Sequence, residues 1–135
     1  MKARHGTLRR HGLALLALAL LCVPAIQPLL TRDFTCGYDN TFHLWRAVQV
    51  DALWSRGILY SRWAPDMAHG FGFPLFVFTS PFPSFAVAGL HRLGLAWPLA
   101  LNATFALGIL LGALAMYVLA AELFGVGDWA PWAGL

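Results

Sequence analysis

An all-α, polytopic membrane fold is what the sequence predicts, and three observations carry the prediction. Of 135 residues, 59% are hydrophobic and only 11% charged, too few charges for a soluble domain of this size to keep a wetted surface. Leucine and alanine occur in runs that approach the roughly 20 residues a helix needs to cross a bilayer at about 1.5 Å rise each. Between those runs lies one polar stretch, Gly37 to Phe78, which holds most of the groups capable of chemistry. The formal charge of +3 is modest. The basic residues form no stripe with interleaved aromatics, which argues against nucleic acid as a partner.

Residues 1–12 carry Lys2, Arg4, Arg9 and Arg10 and read as a basic cytoplasmic tail. The apolar run 13–30, broken only by Pro24, Gln27 and Pro28, is the first expected transmembrane helix. A basic segment before an apolar run also fits a cleaved signal. Against cleavage stand the lack of a clean A-x-A site, Leu21 rather than a small residue before Cys22, and the further apolar segments that follow. A retained anchor keeps the N-terminus in the cytoplasm, in a cell membrane crossed several times. Five of the nine Lys and Arg (Lys2, Arg4, Arg9, Arg10, Arg92) then lie inside and four (Arg32, Arg46, Arg56, Arg62) outside, so orientation rests on the N-terminal cluster. A helix separating Cys22 from Cys36 would hold them roughly 20 Å apart, beyond disulfide reach.

Residues 31–79 are expected to form an extracytoplasmic loop. From about 39 to 55 no Pro or Gly interrupts the chain, which permits a helix of about four turns. At 100° per residue, Leu44, Trp45, Val48 and Ala52 share one face, while Asp39, His43 and Arg46 group on the other. Such a helix suits the membrane interface, or a place beneath further transmembrane segments. Gly57 ends it. Tyr60 to Gly72 mixes turn formers with aromatic and charged residues and reads as an ordered loop. Phe71 to Leu90 is uncharged, but Pro74, Pro81 and Pro83 break it, so the second membrane helix is expected over 80–93, with proline in its first turn. FGFPLFVF before it would dip toward the membrane as irregular backbone. His91 and Arg92 would mark the cytoplasmic end.

A third membrane helix is expected over 98–123, where Thr104, Gly108 and Gly112 give a small-xxx-small row suited to helix approach. The sequon at Asn102 falls inside this apolar run and is read as a false positive. Residues 125–135 read as a turn into another segment. With a polar loop lacking a cover, the chain is expected to be the N-terminal part of a larger helical membrane protein, packed against further transmembrane helices.

Two groups of residues can carry chemistry. Asp39 and His43 are one helical turn apart and can share a pocket. A carboxylate there can act as general base, or can ligate a divalent metal with His43. Asp39 is also a natural N-cap, a role worth about 1 kcal/mol. Arg62, Asp66 and His69 form the second group, with Arg62 and His69 suited to phosphate oxygens and Asp66 to orienting them. A local Arg–Asp pair holding the loop is the structural reading of the same residues. Asp51 and Arg56 read as solvated charges. Phosphate-loop, nucleophile-elbow and zinc-ligand patterns are absent from the sequence.

Gly37, Asp39 and His43 (G-x-D-x-x-x-H), Tyr60 to Met67 (Y-x-R-W-x-P-D-M) and Gly70 to Phe76 (G-x-G-x-P-L-F) resemble the start of bacterial proteins labelled 6-pyruvoyl-tetrahydropterin synthase-related membrane proteins. Those proteins look like polytopic glycosyltransferases of the GT-C superfamily. The resemblance covers about residues 13–125. It implies a transferase that moves a sugar from a polyprenyl-phosphate carrier to an extracytoplasmic acceptor, with Asp39 in the place of the acidic residue that serves as base or metal contact. No pterin chemistry follows, since no soluble synthase domain is present. Where the family pattern has paired acids this chain has a single Asp, so the resemblance specifies neither metal nor donor. The alternative is a non-catalytic membrane component, such as a transporter or assembly subunit.

Overall fold

The computed structural model describes residues 2–35, 37 and 39–123, with backbone alone for residues 2–10. Among these residues five α-helices follow one another: α1 (Lys2–Ile26), α2 (Asn40–Ser55), α3 (Leu75–Phe78), α4 (Phe82–Arg92) and α5 (Trp97–Leu123). Among the described residues the only β-type pairing is an isolated bridge between Ala64 and Phe73. Among the described residues two stretches are long and apolar enough to cross a membrane, His11–Leu29 and Trp97–Leu123. At about 1.5 Å per residue they match or exceed the roughly 30 Å hydrocarbon core. The expected segment 125–135 lies outside the described residues.

The chain divides into two compact units, Met1–Leu30 with Phe105–Leu135, and Thr31–Thr104. In the first, α1 meets the later turns of α5 through Ala14, Leu18 and Tyr117, with Ala113 and Ala121 alongside. The Tyr117 hydroxyl hydrogen-bonds His11 Nδ1, their rings edge to face. Helix α1 includes Pro24, whose missing N–H removes one bond of the helical ladder, and the run ends in a 3-10 turn, Gln27–Leu29. Cys22 is a buried free thiol; Cys36 lies outside the described residues.

The second unit is built on α2. Val50, Ala64, Leu75, Phe76 and Ala88 form its core, with Trp54, Met67 and Phe85 packed around them. Burying Val, Leu and Phe side chains contributes about 1.5–3 kcal/mol each. One residue of α2, one loop residue, two residues of α3 and one residue of α4 thus close on each other. Both long helices of the unit end in the same motif. Gly57 N–H donates to Trp54 C=O (3.0 Å) and Ile58 N–H to Leu53 C=O (2.9 Å); Gly94 N–H donates to His91 C=O (2.9 Å) and Leu95 N–H to Leu90 C=O (3.2 Å). Gly57 at φ +77° and Gly94 at φ +104° supply the left-handed residue this paired cap requires.

The stretch 80–93 differs from the single membrane helix expected there. Helix α4 has 11 residues, about 16 Å of rise, roughly half the hydrocarbon core. Its Arg92 Nε donates to Asp51 Oδ1 of α2 at 2.6 Å, and Nη2 donates to the Asp51 carbonyl (2.9 Å) and Ser55 Oγ (2.8 Å). Arg92 and Asp51, expected on opposite sides of a membrane and with Asp51 a solvated charge, are partners within one unit. FGFPLFVF is also more regular than expected: it contains the α3 turn, with Leu75 and Phe76 buried.

Candidate active site

Asp39 stands at the N-cap position of α2, but its φ of −101° and ψ of 1° give no side-chain capping bond. The backbone carbonyl of Asp39 instead accepts the His43 N–H at 2.9 Å. An N-cap side chain needs extended backbone to fold over the first turn, and Asp39 lacks it. The expected capping bond is therefore not made, and the carboxylate lies on an exposed residue. The turn is secured by Asn40, whose Nδ2 donates to Thr35 O (2.6 Å) and Oγ1 (2.7 Å). Gly37 makes room for it, since a Cβ there would come within 2.9 Å of the Asn40 amide.

His43, half-buried, is one turn along the same helix face, and Arg46 one turn further. Arg46 lies with its guanidinium carbon 4.2 Å from the centre of the Phe42 ring, a cation–π arrangement, and its Nε is buried without a hydrogen-bond partner. Asp39, His43 and Arg46 thus put an acid, an imidazole and a guanidinium at positions i, i+4 and i+7, which share a helix face. Among the described residues no group of three His, Cys, Asp or Glu is placed to hold a metal ion. Asp39 and His43 are at most two ligands.

The second expected group does not assemble as proposed. Asp66 pairs with Arg56, not Arg62, at 3.3 Å with both side chains about half exposed. Its backbone N–H donates to Oε1 of the buried Gln49 at 3.1 Å. This bond, reaching from α2 into the loop, positions Asp66 where Arg56 at the helix end can reach its carboxylate. Arg62 and His69 are exposed. The Arg62 carbonyl accepts the Phe76 N–H at 3.3 Å. His69 sits at φ +58°, next to Ala68 at φ +52°, a left-handed pair costing about 1–2 kcal/mol per residue. The loop is ordered by the reciprocal Ala64–Phe73 bonds of 2.8 and 3.0 Å.

Two further polar residues, Gln49 and Asn102, have structural roles that the sequence reading does not assign. Gln49 has the only long uncharged polar side chain within α2, four residues before Leu53 on the core side, and that position is its signal. Asn102, buried at 1% exposure, donates from Nδ2 to Thr31 O (3.2 Å) and Asp33 O (3.1 Å), tying the start of α5 to the chain leaving α1. Its burial agrees with reading the sequon there as a false positive.

No protein-family model, no curated protein and no solved structure matches this chain.

Proposed function

We propose that the chain serves an integral membrane glycosyltransferase of the GT-C type, which moves a sugar from a polyprenyl phosphate to an acceptor on the extracytoplasmic side. The observation that carries this reading is the Asp39 carboxylate, exposed at the start of α2 and not used in capping, with His43 and Arg46 following on its helix face. The acceptor O–H attacks the anomeric carbon as the bond from that carbon to the phosphate oxygen breaks. Asp39 takes the acceptor's proton, and the polyprenyl phosphate leaves with the bonding electron pair. A single displacement of this kind inverts the anomeric centre. His43 orients the acceptor beside Asp39. Arg46, the cation sharing the Asp39 face, is assigned to the developing phosphate charge ahead of Arg62 and His69 on the 60–72 loop.

Transfer from a polyprenyl-phosphate sugar in membranes containing the protein tests this. Asp39→Asn and Asp39→Ala are expected to lose at least about 100-fold in rate, the scale of a lost general base, at unchanged protein level. Unchanged transfer in both would remove Asp39 from the mechanism. A non-catalytic membrane component is the second reading. It is favoured by the use of Asp51 and Arg92 in holding the unit together, and under it both Asp39 variants are silent.

A further inference from the structure

The unit Thr31–Thr104 leaves a band of large apolar side chains uncovered. Phe71 is 85% exposed, Leu59 80%, Phe78 78% and Phe82 76%, with Val77 and Trp63 about half exposed. These residues come from adjoining backbone. Ala64 and Phe73 exchange hydrogen bonds, Phe76 N–H reaches the Arg62 carbonyl, and the Trp63 indole lies against Gly72. Tyr60 meets the ring of Phe85, one turn beyond Phe82 in α4 (6.3 Å between centroids). Within α3 the split is sharp: Leu75 and Phe76 enter the core while Val77 and Phe78 face outward. From Phe71 to Leu90 there is no Asp, Glu, Lys, Arg or His. Within the stretch 59–82 the charged residues are Arg62, set between Tyr60 and Trp63, and Asp66, whose carboxylate is paired with Arg56.

We infer that this band inserts into the interfacial layer of the lipid bilayer, with Leu59, Phe71, Phe78 and Phe82 among the upper acyl chains and Arg62 at headgroup phosphates. The inference rests on the membrane reading, because what brings lipid to this surface is chain connectivity. The first candidate span ends at Leu29, two residues before the unit begins, and the second begins at Trp97, inside it. A body tethered at both ends by spanning helices stays at the bilayer surface. Aromatic side chains around Arg62 match the composition of the interface, where rings sit at headgroup depth and a long basic side chain reaches phosphate. The band lies in the surface rather than crossing it, since α3 and α4 have only 4 and 11 residues, against roughly 20 for a span.

The test places an environment-sensitive fluorophore on single cysteines at Phe78, Phe71 and Leu111, in the full protein with Cys22→Ala and Cys36→Ala, reconstituted with phospholipids carrying a spin label near the headgroup or near the bilayer centre. Leu111 lies in the second candidate span and is 63% exposed. Its probe is expected to be quenched most by the deep label. The probes at positions 78 and 71 are expected to lose at least about half their emission, more with the shallow label than the deep, as insertion of roughly 5–10 Å requires. Quenching at 111 without quenching at 78 and 71 overturns the inference, whether those probes report water or a dry contact with protein. Absence of quenching at 111 overturns the membrane reading itself, so the two failures are distinct.

Discussion

Arg92 and Arg56 look alike in the sequence, each a basic residue at the end of a helix, yet the structure gives them different worth. Arg92 makes charge-assisted bonds to the Asp51 carboxylate and carbonyl and to Ser55, and lies 5.5 Å from the Trp54 ring. Arg56 has one weak approach to Asp66, with both side chains near half exposure. Arg92→Ala is therefore expected to cost about 1–2 kcal/mol, and Arg92→Lys to recover less than half of it because a single ammonium cannot reproduce the fork. Arg56→Ala should cost under about 0.5 kcal/mol. Thermal aggregation midpoints of the detergent-solubilised protein will show the order. Glycine makes a second contrast at this scale. A Cβ on Gly57 meets nothing, whereas one on Gly72 runs into the Trp63 indole, both at positive φ. Gly57→Ala should cost about 1 kcal/mol and Gly72→Ala roughly 2–4, the difference being the displaced indole. Measured on the same scale, equal effects would show that Trp63 is not held against the loop.

Helix α2 organises the second unit because its two sides do different work. Val50 and Leu53 enter the core, Gln49 reaches into the loop, and Asp51 with Ser55 receives Arg92 of α4. Gln49→Ala would leave the Asp66 N–H unpaired beside a void, an expected loss of about 1–3 kcal/mol. The loop should also become cleavable by protease between Arg62 and Gly72 while α2 and α4 stay intact. Much of this element was legible in the sequence: an uninterrupted run ahead of Gly57 defines α2, and Gly94 marks the end of α4. What could not be read was the role of Asp51, because an i+41 partner leaves no periodic trace. The same holds for α4. Its apolar composition fits a membrane helix as well as a short packed one, and only the contact with α2 separates the two. Asp39 shows the opposite limit. Residue type and position both predict a cap, yet a backbone already turned at Asp39 withholds it.

For the whole molecule, the Asp51–Arg92 contact changes how the basic residues are counted. If Arg92 joins Arg32, Arg46, Arg56 and Arg62 on the outer side, four of the nine Lys and Arg remain inside. Orientation then depends entirely on the cluster Lys2, Arg4, Arg9 and Arg10. This is consistent with the rule, since charges count over loops up to roughly 60 residues, and the stretch from Leu30 to Ala96 exceeds that. The central proposal is that Thr31–Ala96 forms one folded body on one side of the membrane, between two spans, with Asp39 open to that side. Single cysteines at Thr41 and Leu93, both exposed, in the Cys22→Ala, Cys36→Ala protein test it most directly, through reaction with a membrane-impermeant thiol reagent in intact cells. The account predicts that both react from outside. Reaction of position 41 from outside, with position 93 protected until the cells are opened, would place a membrane between α2 and the end of α4 and contradict it.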